Sequence, residues 1–221
     1  NVTDGLVNSG VLVSEGDLFL RSSNQLKNTG EISGNLVKLS SKKTHNNGMI
    51  QGQEIHFSAE DVVNSGAVLS DGYQGISAHT LENSGLLAGS EVVLSTRQTR
   101  NDGTIHGTDR LESVYGELDN SGTLQAGEVD LTLSRLINSG QINSIKGEIE
   151  AVRFLNEGSI YSQSVLNLYA GAHIENKGKI EAHDLGVYTH LLSNEGDINS
   201  KTATYRANTI ANAGFISSTG N

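Results

Sequence analysis

The side chains best suited to metal binding or acid–base catalysis are seven histidines, and their spacing does not favour either role. They are His45, His56, His79, His106, His173, His183 and His190. No two of them have the i, i+4 spacing of a helical metal site, and the chain has no Cys that could complete one. We therefore interpret these residues as surface or corner histidines and predict no metal site and no cofactor.

Phosphate binding and nucleophilic catalysis have no better support in the sequence. None of the 26 Gly belongs to a loop that is followed by the Lys-Ser/Thr pair of a phosphate-binding motif. Ser is so frequent that chance combinations of Ser, His and Asp carry no weight. We predict no catalytic residue and a protein that is not an enzyme.

The overall charge excludes two further classes of partner. The net charge is −10 and the sequence pI is near 5.1, which argues against electrostatic binding to nucleic acid or to an anionic membrane surface. No apolar run approaches the roughly 18 residues of a membrane span.

The chain also lacks Pro, which is typical of a structure in which nearly every backbone N–H is paired.

A repeat explains where the glycines lie. The tripeptide Asn-x-Gly recurs twelve times at intervals of 18 to 20 residues, and the second residue after each Gly is aliphatic. Its asparagines are Asn8, Asn28, Asn46, Asn64, Asn83, Asn101, Asn120, Asn138, Asn156, Asn176, Asn194 and Asn212. A fixed period of this length indicates stacked structural units.

One repeat shows how the chain folds. The apolar residues of the coil that begins at Asn120 are Leu124, Ala126, Val129, Leu131, Leu133 and Leu136. Within each group the spacing is two, which indicates a strand with one buried face, and between groups it is three, which indicates a corner. Three short strands per coil predict an all-β parallel β-helix of about twelve coils. With rungs about 4.8 Å apart, the rod would be roughly 55–60 Å long.

The recurring Asn has a structural explanation. Leu136, Asn138, Gly140 and Ile142 share one parity, so the Asn side chain should point inward at a corner. There its amide can donate to and accept from the same group one coil away, as in stacked amide ladders. The Gly would permit a positive φ or a close backbone approach at the bend. We interpret the twelve asparagines as scaffold.

The repeat resembles the haemagglutinin repeats of two-partner-secretion exoproteins. The pattern Leu-x-Asn-x-Gly-x-Ile is clearest in LDNSGTLQAGEVDLTLSRLINSGQINS, from Leu118 to Ser144, and in LENSGLLAGSEVVLS, from Leu81 to Ser95. The similar family includes filamentous haemagglutinin and the contact-dependent growth inhibition effectors. The resemblance extends over the whole chain, so we expect a single repeat domain over residues 1–221. Since the chain begins at Asn1 without a Met, we expect it to be a fragment of a longer protein.

This resemblance implies a function outside the cell. It implies a right-handed β-helical shaft of a secreted protein on the surface of a Gram-negative bacterium. The implied partners are an outer-membrane protein or surface glycan of a neighbouring cell, and an outer-membrane secretion partner for the parent protein. The implied role is receptor binding or adhesion, with toxin delivery if the parent is a growth-inhibition effector, and a passive spacer is the alternative.

Two enzymatic β-helices fit the spacing less well. Polysaccharide lyases of the pectate-lyase type need long loops that form a cleft, and intervals that vary by only two residues leave no room for them. Left-handed hexapeptide acyltransferases need apolar residues at every sixth position. Here the pair in the middle of the coil, such as Val129 and Leu131, lies nine and eleven residues after the Asn.

Charged residues near the corners suggest one candidate column. Glu91, Asp109 and Glu128 each follow a repeat Asn by eight residues and would therefore lie about one rung apart. A cation or a basic partner would relieve their repulsion, whereas a solvated corner would need neither. Basic residues near the corners, such as Arg97 and Arg100, are interpreted as solvated edges.

A second candidate column lies nearer the carboxyl terminus. If Leu168 and Val187 point inward, Tyr169 and Tyr188 point outward one rung apart, with Glu150 below and Arg206 above; Tyr205 aligns with the inward set. Exposed Tyr flanked by charges is typical of a protein contact. The alternative is cross-strand stacking with no partner. Glu150, Tyr169, Tyr188 and Arg206 are therefore the candidate receptor contact.

Overall fold

The computed structural model describes residues 4–220, and every helix or strand within that range is a β-strand. The strands are β1 Leu6–Asn8, β2 Val11–Val13, β3 Leu18–Arg21, β4 Gln25–Asn28, β5 Glu31–Ser40, β6 Lys43–Asn46, β7 Met49–Ser58, β8 Asp61–Asn64, β9 Ala67–Ser70, β10 Tyr73–Asn83, β11 Leu86–Asn101, β12 Thr104–Asn120, β13 Thr123–Asn138, β14 Gln141–Asn156, β15 Ser159–Asn176, β16 Lys179–Asn194, β17 Asp197–Asn212 and β18 Phe215–Ser218.

All the pairings between these strands are parallel and join one coil to the next. Strands β11 to β17 each run through nearly a whole coil and bend at its corners, whereas the earlier coils are divided into shorter strands. The repeat asparagines pair in register along the whole rod, from Asn8 with Asn28 to Asn194 with Asn212. The predicted parallel β-helix of about twelve coils is confirmed.

Alternation of side chains places the core inside the coils. In the coil that begins at Asn120, the six apolar residues named above are buried, and the residues between them face outward. The aliphatic residue that follows each Gly by two forms one continuous inner column. Its members Ile32, Ile50 and Ile105 are 0% exposed. Each coil buries its apolar face only against its neighbours, so the stacking itself supplies the core.

The glycines of the repeat are required by close backbone approach. A Cβ added to Gly140 would lie 2.1 Å from the carbonyl oxygen of Gly122, and the same clash recurs at Gly158 against Gly140. No described Gly has a positive φ. Of the two sequence-based explanations, close approach is therefore the correct one.

The remaining two corners of the coil absorb the differences in coil length. The register shifts at the first corner after the Gly, for example between Gly107 and Arg110, and at the second, for example between Val114 and Gly116. At this second shift Tyr115 has a φ of 64°, and it is the one described non-Gly residue with a positive φ.

Candidate contact surfaces

The buried asparagines form the predicted amide ladder. The Asn138 amide Nδ2 donates to Asn156 Oδ1 at 2.8 Å, to the Gly140 carbonyl at 3.3 Å and to the Ser159 carbonyl at 3.3 Å. Asn120 Nδ2 donates in turn to Asn138 Oδ1 at 2.8 Å. The side chain therefore joins two coils and fixes the turn of its own coil.

The same bonds recur at every repeat Asn from Asn8 to Asn194. Asn8 Nδ2 donates to Asn28 Oδ1 at 2.8 Å, and Asn194 Nδ2 donates to Asn212 Oδ1 at 2.7 Å. Since these amides are buried and bonded to one another, they leave little for a ligand to bind. The ladder acts as scaffold and sets the register of the outer columns.

The four residues of the candidate receptor contact lie in one outward column. The strand register pairs Glu150 with Tyr169, Tyr169 with Tyr188, and Tyr188 with Arg206. Tyr205, beside Arg206, lies in the inward set opposite Val187 and is partly buried against the core. The column, here called the Tyr169–Tyr188 column, is therefore continuous over four coils.

The rings in this column face each other. The ring centroids of Tyr169 and Tyr188 are 4.8 Å apart with an interplanar angle of 12°, and the Arg206 guanidinium lies 5.8 Å from the Tyr188 centroid. Tyr188 also leans over Gly186, where an added Cβ would lie 2.7 Å from the ring. The Tyr188 ring thus has a neighbour on each face and the Tyr169 ring on one, and the phenol edges and the guanidinium remain available.

The charges around Tyr169 favour its neutral form. Partial burial raises the pKa of the Tyr169 phenol above its ordinary value, and the negative charge of Glu148, the neighbouring Tyr188 phenol and Glu150 raise the pKa further. At neutral pH the Tyr169 hydroxyl is therefore protonated, and it can both donate and accept hydrogen bonds.

The predicted acidic column does not form in that register. Strand pairing places Arg110, and not Asp109, between Glu91 and Glu128. Lys146 follows Glu128, so the charge alternates along the column. Asp109 lies on the irregular corner before Arg110 and accepts a hydrogen bond from the Ser90 hydroxyl. The expected repulsion of three stacked carboxylates is therefore absent from this column.

Three carboxylates do share the neighbouring outward column. Glu112 pairs with Asp130, and Asp130 with Glu148. Arg110 lies 3.1 Å from Glu112 and 2.6 Å from Asp130, and it partly neutralises both. Each of these three residues lies eight positions before the next repeat Asn, so counting backward from that Asn aligns them. Counting forward from the preceding Asn does not align them.

The histidines are dispersed over the surface. His56 lies 3.5 Å from Glu54 and packs against Tyr73 with ring centroids 5.3 Å apart. His183 Nδ1 lies 3.1 Å from Asp184. Within residues 4–220, no group of three or more His, Asp or Glu side chains is arranged to hold a metal ion.

A shallow groove on another face brings together residues that the sequence did not single out. It has a volume of about 310 Å³ and lies between the paired positions Arg135, Arg153 and His173 on one side and Ile137, Leu155 and Glu175 on the other. We call it the third-face groove. It combines aliphatic surface with the Arg153 guanidinium, which is unpaired within the described chain. The Arg135 guanidinium is paired with Glu117 and Asp119, and the Glu175 carboxylate with Lys177.

Comparisons with protein-family models, with curated proteins and with solved structures gave no match to this chain. Residues 4–220 contain no helix long and apolar enough to cross a bilayer. The fold and the arrangement of the outward columns are therefore the basis for the functional proposal.

Proposed function

We propose that this chain is a shaft segment of a large secreted exoprotein on a Gram-negative cell surface, and that it acts in contact between cells. The parent protein would deliver a toxin if it is a growth-inhibition effector. This follows the sequence resemblance to haemagglutinin-repeat exoproteins. The rod of stacked coils supports the proposal because such a structure spans distance and carries continuous outward columns.

The Tyr169–Tyr188 column is the observation that favours a binding shaft. Two half-buried phenols and one guanidinium lie in consecutive coils, next to the carboxylates of Glu148 and Glu150. Tyr and Arg are the residues most enriched at the energetic centres of protein interfaces. Because the two rings are stacked and Arg206 lies over Tyr188, a sugar ring has at most one face of Tyr169 to pack against. The column therefore favours a protein receptor over a glycan.

A passive spacer is the second candidate, and the uniform ladder favours it. A rod held in register by one amide per coil would serve as a rigid extension without any receptor. The Tyr stacking would then only stabilise adjacent strands. The two candidates differ in whether the isolated chain binds cells.

Flow cytometry of the fluorescently labelled chain on intact Gram-negative bacteria and on epithelial cells separates these candidates. We expect saturable binding to one group of bacteria and its loss in the Tyr169→Ala, Tyr188→Ala double variant. Tyr161→Ala is the matched control, because Tyr161 is 41% exposed and lies on another face.

The other outcomes point elsewhere. Binding to epithelial cells alone would indicate a host adhesin, and binding to neither would leave the spacer. A polysaccharide lyase, the enzymatic alternative, would release unsaturated products from acidic glycans, and a panel of such glycans tests it directly.

A further inference from the structure

Tyr115 combines an unfavourable backbone conformation with an exposed aromatic side chain. Its φ of 64° is unfavourable for a residue with a Cβ, and its side chain is 84% exposed. The strained backbone disfavours the folded state, and the exposed ring gains none of the burial energy that could offset this strain. A Gly or Asn at this position would avoid most of that cost.

The alternation of the strand predicts the opposite orientation for Tyr115. Leu111 and Ser113 are buried, so the second residue after Ser113 should also point inward. Instead Tyr115 turns out, and Gly116 takes the place opposite Leu133 in the next coil. An added Cβ on Gly116 would lie 2.2 Å from the Thr96 carbonyl oxygen, so this arrangement also requires the Gly.

Tyr115 lies on a ridge of exposed residues at the second corner. The corner residues of four consecutive coils are Arg97, Tyr115, Ser134 and Val152, which we call the Tyr115 ridge. Val152 is 56% exposed and lies two coils, or about 10 Å, from Tyr115. The ridge therefore presents two apolar side chains along one line of a chain whose net charge is −10.

Unpaired positive charge borders these apolar side chains. Arg97 begins the ridge and Arg153 follows Val152 at the edge of the third-face groove. Both are exposed, and neither forms an ion pair within residues 4–220. By contrast, Arg100, Arg110 and Arg135 each lie within 3.2 Å of a carboxylate.

We propose that the Tyr115 ridge and the adjoining third-face groove bind a protein segment in which aromatic or aliphatic side chains alternate with carboxylates. Tyr115 would anchor the segment, Val152, Ile137 and Leu155 would contact its apolar side chains, and Arg97 and Arg153 would pair with its carboxylates. Tyr and Arg are among the residues most enriched at the energetic centres of protein interfaces. The proposal does not depend on the cell-contact role.

A phage-displayed library of random 12-residue peptides tests the proposal without a known receptor. Peptides are selected on the wild-type chain and counter-selected on Tyr115→Gly, a variant whose new residue adopts the same φ without strain. We expect enrichment of peptides that combine Asp or Glu with aliphatic or aromatic residues. Fluorescence anisotropy of the enriched peptides should show binding at least about tenfold weaker to Tyr115→Gly.

Further variants examine the charge and the apolar contact separately. Arg97→Glu and Arg153→Glu should each weaken binding, more strongly at low salt, and Val152→Ser should weaken it as well. Tyr161→Gly, at an exposed Tyr outside the ridge, should bind the peptides as the wild type does. Thermal unfolding of each variant shows that the chain remains folded.

Two results would overturn the proposal. One is a selection that yields no peptide preferring the wild-type chain over Tyr115→Gly. The other is a set of enriched peptides that bind the Arg97→Glu and Arg153→Glu variants as tightly as the wild type. Either result is independent of cell binding, so failure of the ridge and failure of the proposed shaft function remain distinguishable.

Discussion

The ladder corner and the second corner of the coil follow opposite rules. At the ladder corner every coil has the same Asn and Gly, and the strand register passes through without a shift. At the second corner the residue types vary, and the register shifts between Val114 and Gly116 and between Ala151 and Arg153. The constant Asn and Gly of the ladder corner hold the coils together. The residue types at the second corner can therefore vary.

This difference matters for where function can arise in the rod. A change at the ladder corner affects hydrogen bonds in two neighbouring coils, because each amide donates upward and accepts from below. A change at the second corner affects mainly the residue that is exposed there. Tyr115, with its unfavourable φ, lies at the second corner, where the backbone strain affects few neighbouring residues. The following predictions test whether stability and binding are divided in this way.

The largest effect is expected for Asn138→Ala in the middle of the ladder. The substitution removes three donated hydrogen bonds and leaves Asn120 Nδ2 without its acceptor side chain. Since each buried group that loses its partner costs about 1–3 kcal/mol, we expect a loss of about 3 kcal/mol or more in the free energy of unfolding. Urea denaturation followed by circular dichroism measures it.

The control for this prediction is Asn143→Ala. The amide of Asn143 faces outward, and its described hydrogen bond is an exposed contact of 3.5 Å to Gln141. Its removal should change stability by less than about 0.5 kcal/mol. Equal losses in the two variants would contradict a special role for the ladder.

A pair of Gly→Ala substitutions compares the two corners directly. The added Cβ of Gly140→Ala would lie 2.1 Å from the Gly122 carbonyl oxygen, and relieving that clash should cost about 2–3 kcal/mol. Gly171 lies at the second corner with no atom within 4 Å of an added Cβ. Gly171→Ala should therefore be neutral or raise stability by up to about 1 kcal/mol. Equal urea midpoints for the two variants would refute the contrast.

A buried amide outside the ladder should behave in the opposite way to Asn138. Gln74 is 0% exposed and lies in the inward column between Ile55 and Val92, and neither of its amide atoms has a partner within the described chain. Gln74→Leu removes two unsatisfied groups at similar volume. We expect a gain of about 1–2 kcal/mol, measured by the same denaturation.

The matched substitution for this case is Gln125→Leu, at an outward and exposed position. No gain is expected there because the amide is already solvated. A loss of stability in Gln74→Leu would indicate that the Gln74 amide has a partner, such as a buried water.

The ladder could be predicted from sequence because its residues recur at one fixed position. The acidic column was predicted in the wrong register for a related reason. Counting forward from the preceding Asn passes through the first corner, where the extra residue before Arg110 shifts everything that follows. Only the strand pairing shows that Arg110, and not Asp109, stands beside Glu91.

The outward turn of Tyr115 could not be predicted at all from the alternation. The buried neighbours Leu111 and Ser113 predict an inward side chain at that position. Two residues after Leu94 and Leu131, which pair with Ser113, the adjacent coils have Thr96 and Leu133, and these side chains point inward and are smaller than Tyr. The choice between an overpacked interior and a strained backbone depends on packing in three coils at once, which a pattern along one coil does not contain.

The smallest predicted effect has the most informative sign. Tyr115→Gly should raise the free energy of unfolding by about 1 kcal/mol, because Gly adopts a φ of 64° without a Cβ penalty and the exposed ring contributes little burial to the fold. Tyr161→Gly, in the regular strand β15, should lower it by about 1 kcal/mol, because Gly weakens a strand interior. Urea denaturation of both variants gives the two signs. If Tyr115→Gly is instead the less stable chain, the ring contributes to the fold, and its exposure ceases to be an argument for a bound partner.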